Sequence, residues 1–164
     1  MEYARMAGEP LTILLVEDNA DHAELVLRSL RNHHIANEIR HVTDGAAALD
    51  YLFQRGPYAN PETSPRPHVV LLDLRLPKVD GLEVLRAIKT HKTLVAIPVV
   101  ILTTSEAEAD VARAYEYCAN SYLVKPMGFP EFAELMKALG FYWLCWNRSP
   151  KANSSGGAIG AEHE

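Results

Sequence analysis

HVVLLD at 68–73 is the stretch on which the reading of this chain turns. Four consecutive apolar residues run into a single carboxylate, Asp73, with no polar residue between them. A strand with one wet face alternates apolar and polar side chains, whereas an unbroken apolar run is buried on both faces, as strands of a parallel sheet are. Two more runs of this kind stand at LTILLV (11–16) and IPVVILT (97–103). Weaker strands are read at EIRHV (38–42) and SYLVK (121–125).

Helical spacing fills the gaps between them. Ala23, Val26, Leu27 and Leu30 form one stripe, and Leu49, Leu52 and Phe53 a second after Asp44. Val84, Leu85 and Ile88 form a third from near Gly81, and Ala107, Val111, Ala114, Tyr115 and Cys118 a fourth. Phe132, Leu135, Met136 and Leu139 begin a fifth, with Pro130 near its first turn, where proline is tolerated. The order predicts an α/β fold, (βα)5, a doubly wound five-stranded parallel sheet with helices on both faces. In such a sheet the ligand site lies beyond the carboxyl ends of the strands.

The expected organisation is a flexible lead at 1–10, a globular domain at 11–146 and a disordered Ser/Gly/Ala-rich tail at 147–164. The whole sequence has 164 residues, 48% apolar, with 16 basic and 21 acidic side chains and a net charge of −5. An acidic balance gives no support to nucleic acid as the main partner. No apolar stretch is long enough to span a bilayer, and the N-terminus lacks the apolar core of a secretory signal. Cys118 and Cys145 lie far apart without a CxxC motif, so a reduced, cytoplasmic chain is the simplest expectation. The seven histidines show no metal-binding spacing and read as surface residues. GxGxxG and GxxxxGK[ST] are both missing, which leaves dinucleotide and nucleoside triphosphate sites unsupported.

The strand ends carry the chemistry. The first ends in Glu17 and Asp18, the third in Asp73, the fourth in Thr103 followed by Thr104 and Ser105, and the fifth in Lys125 and Pro126. Any one of these has a bland reading, as a solvated acid, a locally bonded threonine or a surface lysine. Together, at one edge of one sheet, they gather three carboxylates, a hydroxyl and an ammonium group. Clustered carboxylates repel, and a hard divalent cation such as Mg²⁺ with oxygen ligands removes the conflict. Asp73 is then placed to act as a nucleophile toward phosphorus.

LLVEDN (14–19), VLLDLRLPKVDGLEVL (70–85), PVVILTTS (98–105) and SYLVKP (121–126) resemble the signature segments of response-regulator receiver domains, over about residues 11–139. The resemblance implies a flavodoxin-like receiver fold and a two-component function: Asp73 accepts phosphate from the phosphohistidine of a histidine kinase. It implies that Asp18, Asp73 and the Arg75 carbonyl ligate Mg²⁺, with Glu17 holding a metal-bound water. Thr103 and Lys125 are implied contacts of the phosphoryl group, Tyr122 a rotamer-switching aromatic, and Lys125–Pro126 a cis bond. Arg75, Thr104 and Ser105 stand where side chains tune access to the phosphate, and a cation at 75 is expected to slow its loss.

Two features narrow the resemblance. QRGPYANPETSPRP (54–67), with four prolines, is long for a connection between a helix and a strand. GFYWLCW (140–146) extends the last helix with apolar side chains on every side, which points to a partner interface, the alternative being a tail folded back on its own sheet. Both features resemble the stand-alone regulators that pair with bacterial phytochrome histidine kinases, often dimers through the fourth helix, fifth strand and fifth helix. A homodimer through Phe141, Trp143 and Trp146 is the corresponding expectation. A phosphatase acting through an aspartyl phosphate is disfavoured, because position 75 is Arg rather than a second acid and no cap segment is present. A receiver-like binding module that no longer uses phosphate is the remaining alternative.

Overall fold

The computed structural model describes residues 12–32, 38–103 and 121–124, together with positions 113, 116, 117, 130, 131, 134 and 138. In chain order the elements are β1 (Thr12–Val16), α1 (Ala20–Asn32), β2 (Glu38–Val42), α2 (Gly45–Leu52), a short 3-10 turn (Gly56–Tyr58), β3 (Val69–Leu72), α3 (Gly81–Thr90), β4 (Val99–Thr103) and β5 (Ser121–Val124). Arg113 and Glu116 are helical, as are Pro130, Glu131, Glu134 and Ala138, in the two stretches where the fourth and fifth helices are expected.

All neighbouring strands pair parallel, in the order β2-β1-β3-β4-β5. The apolar runs are continuous because the sheet is covered on both sides. Ile13, Leu15, Val69, Leu71, Val100 and Leu102 pack against Ala23, Val26 and Leu30 of α1. The alternate residues Leu14, Val16, Val70, Leu72, Val99 and Ile101 pack against Ala48, Tyr51 and Leu52 of α2 and Leu82, Val84, Leu85 and Ile88 of α3. Burying each such side chain contributes roughly 1.5–3 kcal/mol. No helix among the described residues is long and apolar enough to cross a membrane.

Local chemistry sets the helix starts. Asn19 Oδ1 accepts from Asp21 N and His22 N at 2.9 and 3.1 Å, opening α1. Asp44 Oδ1 accepts from Ala47 N at 2.7 Å to open α2, and Asp80 Oδ1 from Leu82 N at 3.4 Å to open α3. An uncapped end would leave these amide groups without partners.

The four-proline segment at 54–67 is more ordered than its composition suggests. The Tyr51 hydroxyl donates to the Pro65 carbonyl at 2.7 Å, Gln54 Nε2 to the Ser64 carbonyl at 3.3 Å and Arg66 Nε to the Leu52 carbonyl at 3.2 Å. The Tyr58 ring stands edge-on to Tyr51 at 5.2 Å between centroids. The segment therefore folds back on α2 and covers its end before β3 begins.

Burial raises the Tyr51 phenol above its ordinary 10.0, the nearby Arg40 charge opposing part of that rise. A phenol whose pKa is raised on folding stabilises the fold fully below its unfolded value, and that stability is lost as pH climbs through the folded value. Tyr51→Phe is expected to be about 1 kcal/mol less stable than the wild type near neutral pH, for want of the bond to Pro65. The gap should narrow above about pH 10. Urea melts across that range check this, and a gap that does not change with pH would refute it.

Candidate functional site

The topology brings the acids together. β1 and β3 lie side by side in mid-sheet, and the chain leaves β1 for β2 on one side and continues from β3 to β4 on the other. This is the switch point of the sheet, where a crevice opens beyond the carboxyl ends. Val16 and Leu72 are register partners, and Asp73 N donates to the Val16 carbonyl at 3.0 Å. Glu17, Asp18 and Asp73 follow directly, each offering a carboxylate oxygen, with these oxygens all within 4.8 Å of one another.

Exposure separates their roles. Glu17 and Asp73 are buried, at 1% and 8%, whereas Asp18 is exposed. Glu17 Oε2 accepts from Asn19 N at 3.2 Å, and His22 Nδ1 lies 4.0 Å from Oε1. Asp73 Oδ1 accepts from Arg75 N at 2.9 Å, which orients the carboxylate. Beside the acids, Asp18, Arg75, Leu76, Pro77, Lys78 and Asp80 line an open depression of about 500 Å³. The site is thus a buried acidic floor with one wet side.

The loop from Asp73 to Gly81 is tightly drawn. Gly81 N donates to the Leu74 carbonyl at 3.0 Å, and Leu74 is buried. A Cβ on Gly81 would lie 2.3 Å from the Asp73 carbonyl oxygen, so no larger residue fits without moving the acid's own backbone. Val79 N donates to the Pro77 carbonyl at 2.8 Å, and Lys78 between them has a φ of 67°, the left-handed region.

An all-oxygen set of two buried acids and one exposed acid suits a hard divalent cation that keeps some of its waters. Glu17, Asp18 and Asp73 would hold it, and the charge it supplies would offset their mutual repulsion.

Of the other expected site residues, Thr103 ends β4, its backbone opposite Val124 of β5, the residue before Lys125. Tyr122 pairs with Ile101. The side chains of Thr103 and Tyr122 lie outside the described residues, as do Thr104, Ser105, Lys125, the Lys125–Pro126 bond, Phe141, Trp143 and Trp146. Arg75 is exposed at the mouth of the site. His41 and Gly45 belong to no site motif of the sequence, Lys78 lies within one without a role of its own, and Asp44 shows there only as the start of a helix. His41 Nε2 lies 2.8 Å from the Glu17 carbonyl, and Lys78 Nζ 3.6 Å from Asp44 Oδ2. Of the described histidines, His41 and His68 are exposed and His22 and His91 half-buried, in line with a surface reading.

The sequence pattern of the response regulator receiver domain matches residues 13–139. The chain belongs to the response-regulator receiver family. Its relatives include the probable methanogenesis regulatory protein FilR2 of Methanothrix harundinacea, 49% identical over 88% of this chain and 90% of that protein. The response regulator Rcp1 of Synechocystis sp. is 44% identical over 84% of this chain and 92% of its own. The Mn²⁺-bound crystal structure of Rcp1 superposes with a TM-score of 0.80, at 42% identity over 86% of this chain and 99% of that one. The phosphorylated cyanobacterial phytochrome response regulator RcpA superposes at 0.82, with 39% identity over 87% and 99%. The flavodoxin-like receiver fold and the two-component response-regulator class read from the sequence are therefore those of the protein. Its acidic cluster is of the divalent-metal-binding kind, and aspartate phosphorylation is general to the family.

Asp73→Asn keeps the oxygen that accepts from Arg75 N while removing one charge from the cluster. In chelator it should therefore be the more stable protein, by about 1 kcal/mol or more. Divalent cation should raise the melting temperature of the wild type and do so far less for the variant. Calorimetry with and without cation measures both, and a variant that melts lower in chelator would contradict the repulsion argument.

Proposed function

We propose that this protein is a single-domain phosphorelay receiver that takes a phosphoryl group on Asp73 from a histidine kinase and changes its protein contacts as a result. The observation that carries this is the convergence of Glu17, Asp18 and Asp73 at the β1–β3 switch point, with the nucleophile's carboxylate oriented by Arg75 N. In the transfer, an Asp73 carboxylate oxygen forms a bond to phosphorus as the phosphorus–nitrogen bond of the donor's phosphohistidine breaks. The imidazole leaves with the electron pair. Mg²⁺ would be the cation of this reading, held by Asp18, Asp73 and the Arg75 carbonyl, with Glu17 holding one of its waters, and it would supply positive charge where the phosphoryl oxygens gather. Thr103 and Lys125 bind those oxygens, and Tyr122 reports the change to the β4–β5 side. The protein assists its own phosphorylation and dephosphorylation and turns over no separate substrate.

The kinase of this reading is of the phytochrome type. Support comes from the likeness to Rcp1 and RcpA, joined to the long 54–67 connection and the aromatic run at 140–146. Incubation with Mg²⁺ and a small phosphodonor should add the mass of one phosphoryl group, and Asp73→Asn should add none. A wild-type protein that gains no mass from any donor would instead indicate the phosphate-independent binding module. The homodimer through Phe141, Trp143 and Trp146 should appear in light scattering at tens of micromolar, an order of magnitude set by a weak interface. Trp146→Ala should shift it toward the monomer, and a wild-type monomer at that concentration would rule the interface out.

A further inference from the structure

The ligands of the candidate metal site come from the loops after β1 and β3, and none comes from β2. Yet the end of β2 and the start of α2, the segment HVTDG (41–45), touches both loops. On one side it holds the Glu17 peptide unit. Glu17 N donates to the Val42 carbonyl at 3.1 Å, and His41 Nε2 lies 2.8 Å from the Glu17 carbonyl. A carbonyl oxygen can only accept, so Nε2 carries the hydrogen and donates. Both polar groups of Glu17's backbone are thereby used by β2, and the Glu17–Asp18 peptide that aims the exposed Asp18 carboxylate is fixed in orientation.

On the other side the segment holds the loop after β3. Gly45 N donates to the Pro77 carbonyl at 3.3 Å, and Asp44 Oδ2 lies 3.6 Å from Lys78 Nζ. A Cβ on Gly45 would lie 1.9 Å from the Val79 carbonyl oxygen, a distance at which backbone must move. The Pro77–Val79 turn thus rests directly on the start of α2. That turn is the far half of the loop that begins with Asp73 and Arg75.

We propose that HVTDG is a brace, and that His41 and Gly45 are positioning residues which set the spacing between the Asp18 and Asp73 halves of the metal site. They touch neither cation nor phosphate and act through Glu17 and through Pro77–Val79. The proposal rests on the phosphoacceptor reading above, since it supposes that the acidic cluster binds a divalent cation. Groups that orient metal ligands typically change affinity by about 10–100-fold when lost.

The test is Mn²⁺ binding by the full-length protein, followed by the electron paramagnetic resonance of the free ion, with melting in chelator measured alongside. His41→Phe removes the donor at an exposed position, and its melting temperature in chelator should stay near that of the wild type. Its Mn²⁺ dissociation constant should rise roughly tenfold. His41→Gln, which restores a donor, should recover much of that loss, a rescue that bulk or fold alone would not produce. Gly45→Ala should also weaken Mn²⁺ binding, by moving the other loop. Asp73→Asn serves as the control for direct ligation. Binding by the wild type that is weakened by Asp73→Asn but unchanged in His41→Phe and Gly45→Ala overturns the brace alone. A wild type that binds no Mn²⁺, or binds it equally well as Asp73→Asn, overturns the underlying reading and the brace with it. Loss in His41→Phe without recovery in His41→Gln counts against donation to Glu17 as the cause.

Discussion

Val16 and Leu72 face each other across the β1–β3 ladder, both fully buried, and everything at the site follows from that register. The residues next along the two strands are Glu17 and Asp73, so pairing the strands correctly brings two buried carboxylates side by side. Within 4.8 Å and at an effective dielectric constant of about 20, two like charges repel by roughly 3.5 kcal/mol or more. A few buried aliphatic side chains, at roughly 1.5–3 kcal/mol each, offset such a term. The strands that carry the acids supply Leu14, Val16, Val70 and Leu72, all fully buried. The core can therefore hold the acids together without a cation, and a cation that binds there recovers what the core has expended in doing so.

A site assembled against repulsion needs its backbone held, and the loops show how. Asp73 accepts from Arg75 N, Gly81 donates to the Leu74 carbonyl, and Leu74 is sunk in the core. Each contact shortens the loop's freedom near the acid. Gly81 is required by space rather than by dihedral angle, since the Asp73 carbonyl and Leu74 occupy the volume a Cβ would take. Lys78 is the opposite case, an exposed side chain held at positive φ, a conformation that glycine or asparagine adopts more easily. Strain of that kind persists where neighbouring contacts over-determine the chain. Here those contacts are the two bonds to the Pro77 carbonyl, from Gly45 N and Val79 N.

Much of this was legible in the residues alone. The double-sided burial of β1, β3 and β4 shows as unbroken apolar runs, and the order of strands and helices allows few topologies besides a parallel sheet. Asp73 stands out because a lone carboxylate ends such a run. What the sequence hides depends on geometry between segments distant in the chain. His41 meets the Glu17 carbonyl only because β2 pairs with β1 in one register, Leu15 opposite His41. A shift by one residue would turn that imidazole to the other face of the sheet. The order of 54–67 is hidden for a similar reason. Its prolines and polar residues read as a linker, and only the fold shows Tyr51 and Arg66 stitching it to the end of α2 while Gln54 closes it on Ser64.

β2 is the edge strand of the sheet on the side where β1 is its one neighbour. An edge strand is less constrained than a central one, and its place relative to the core is set by a single ladder and by the helix that follows it. If the two loops that carry the acids were held by central strands alone, motion at this edge would be irrelevant to the site. Because His41 and Val42 grip the Glu17 peptide while Asp44 and Gly45 engage the Pro77–Val79 turn, the edge strand shares its position with both halves of the acidic cluster. The linkage is reciprocal: whatever draws Asp18 and Asp73 together also steadies the β2–α2 junction, and whatever displaces that junction loosens the site. The same chain geometry that gathers three repelling acids at mid-sheet thus makes a peripheral segment sensitive to their charge.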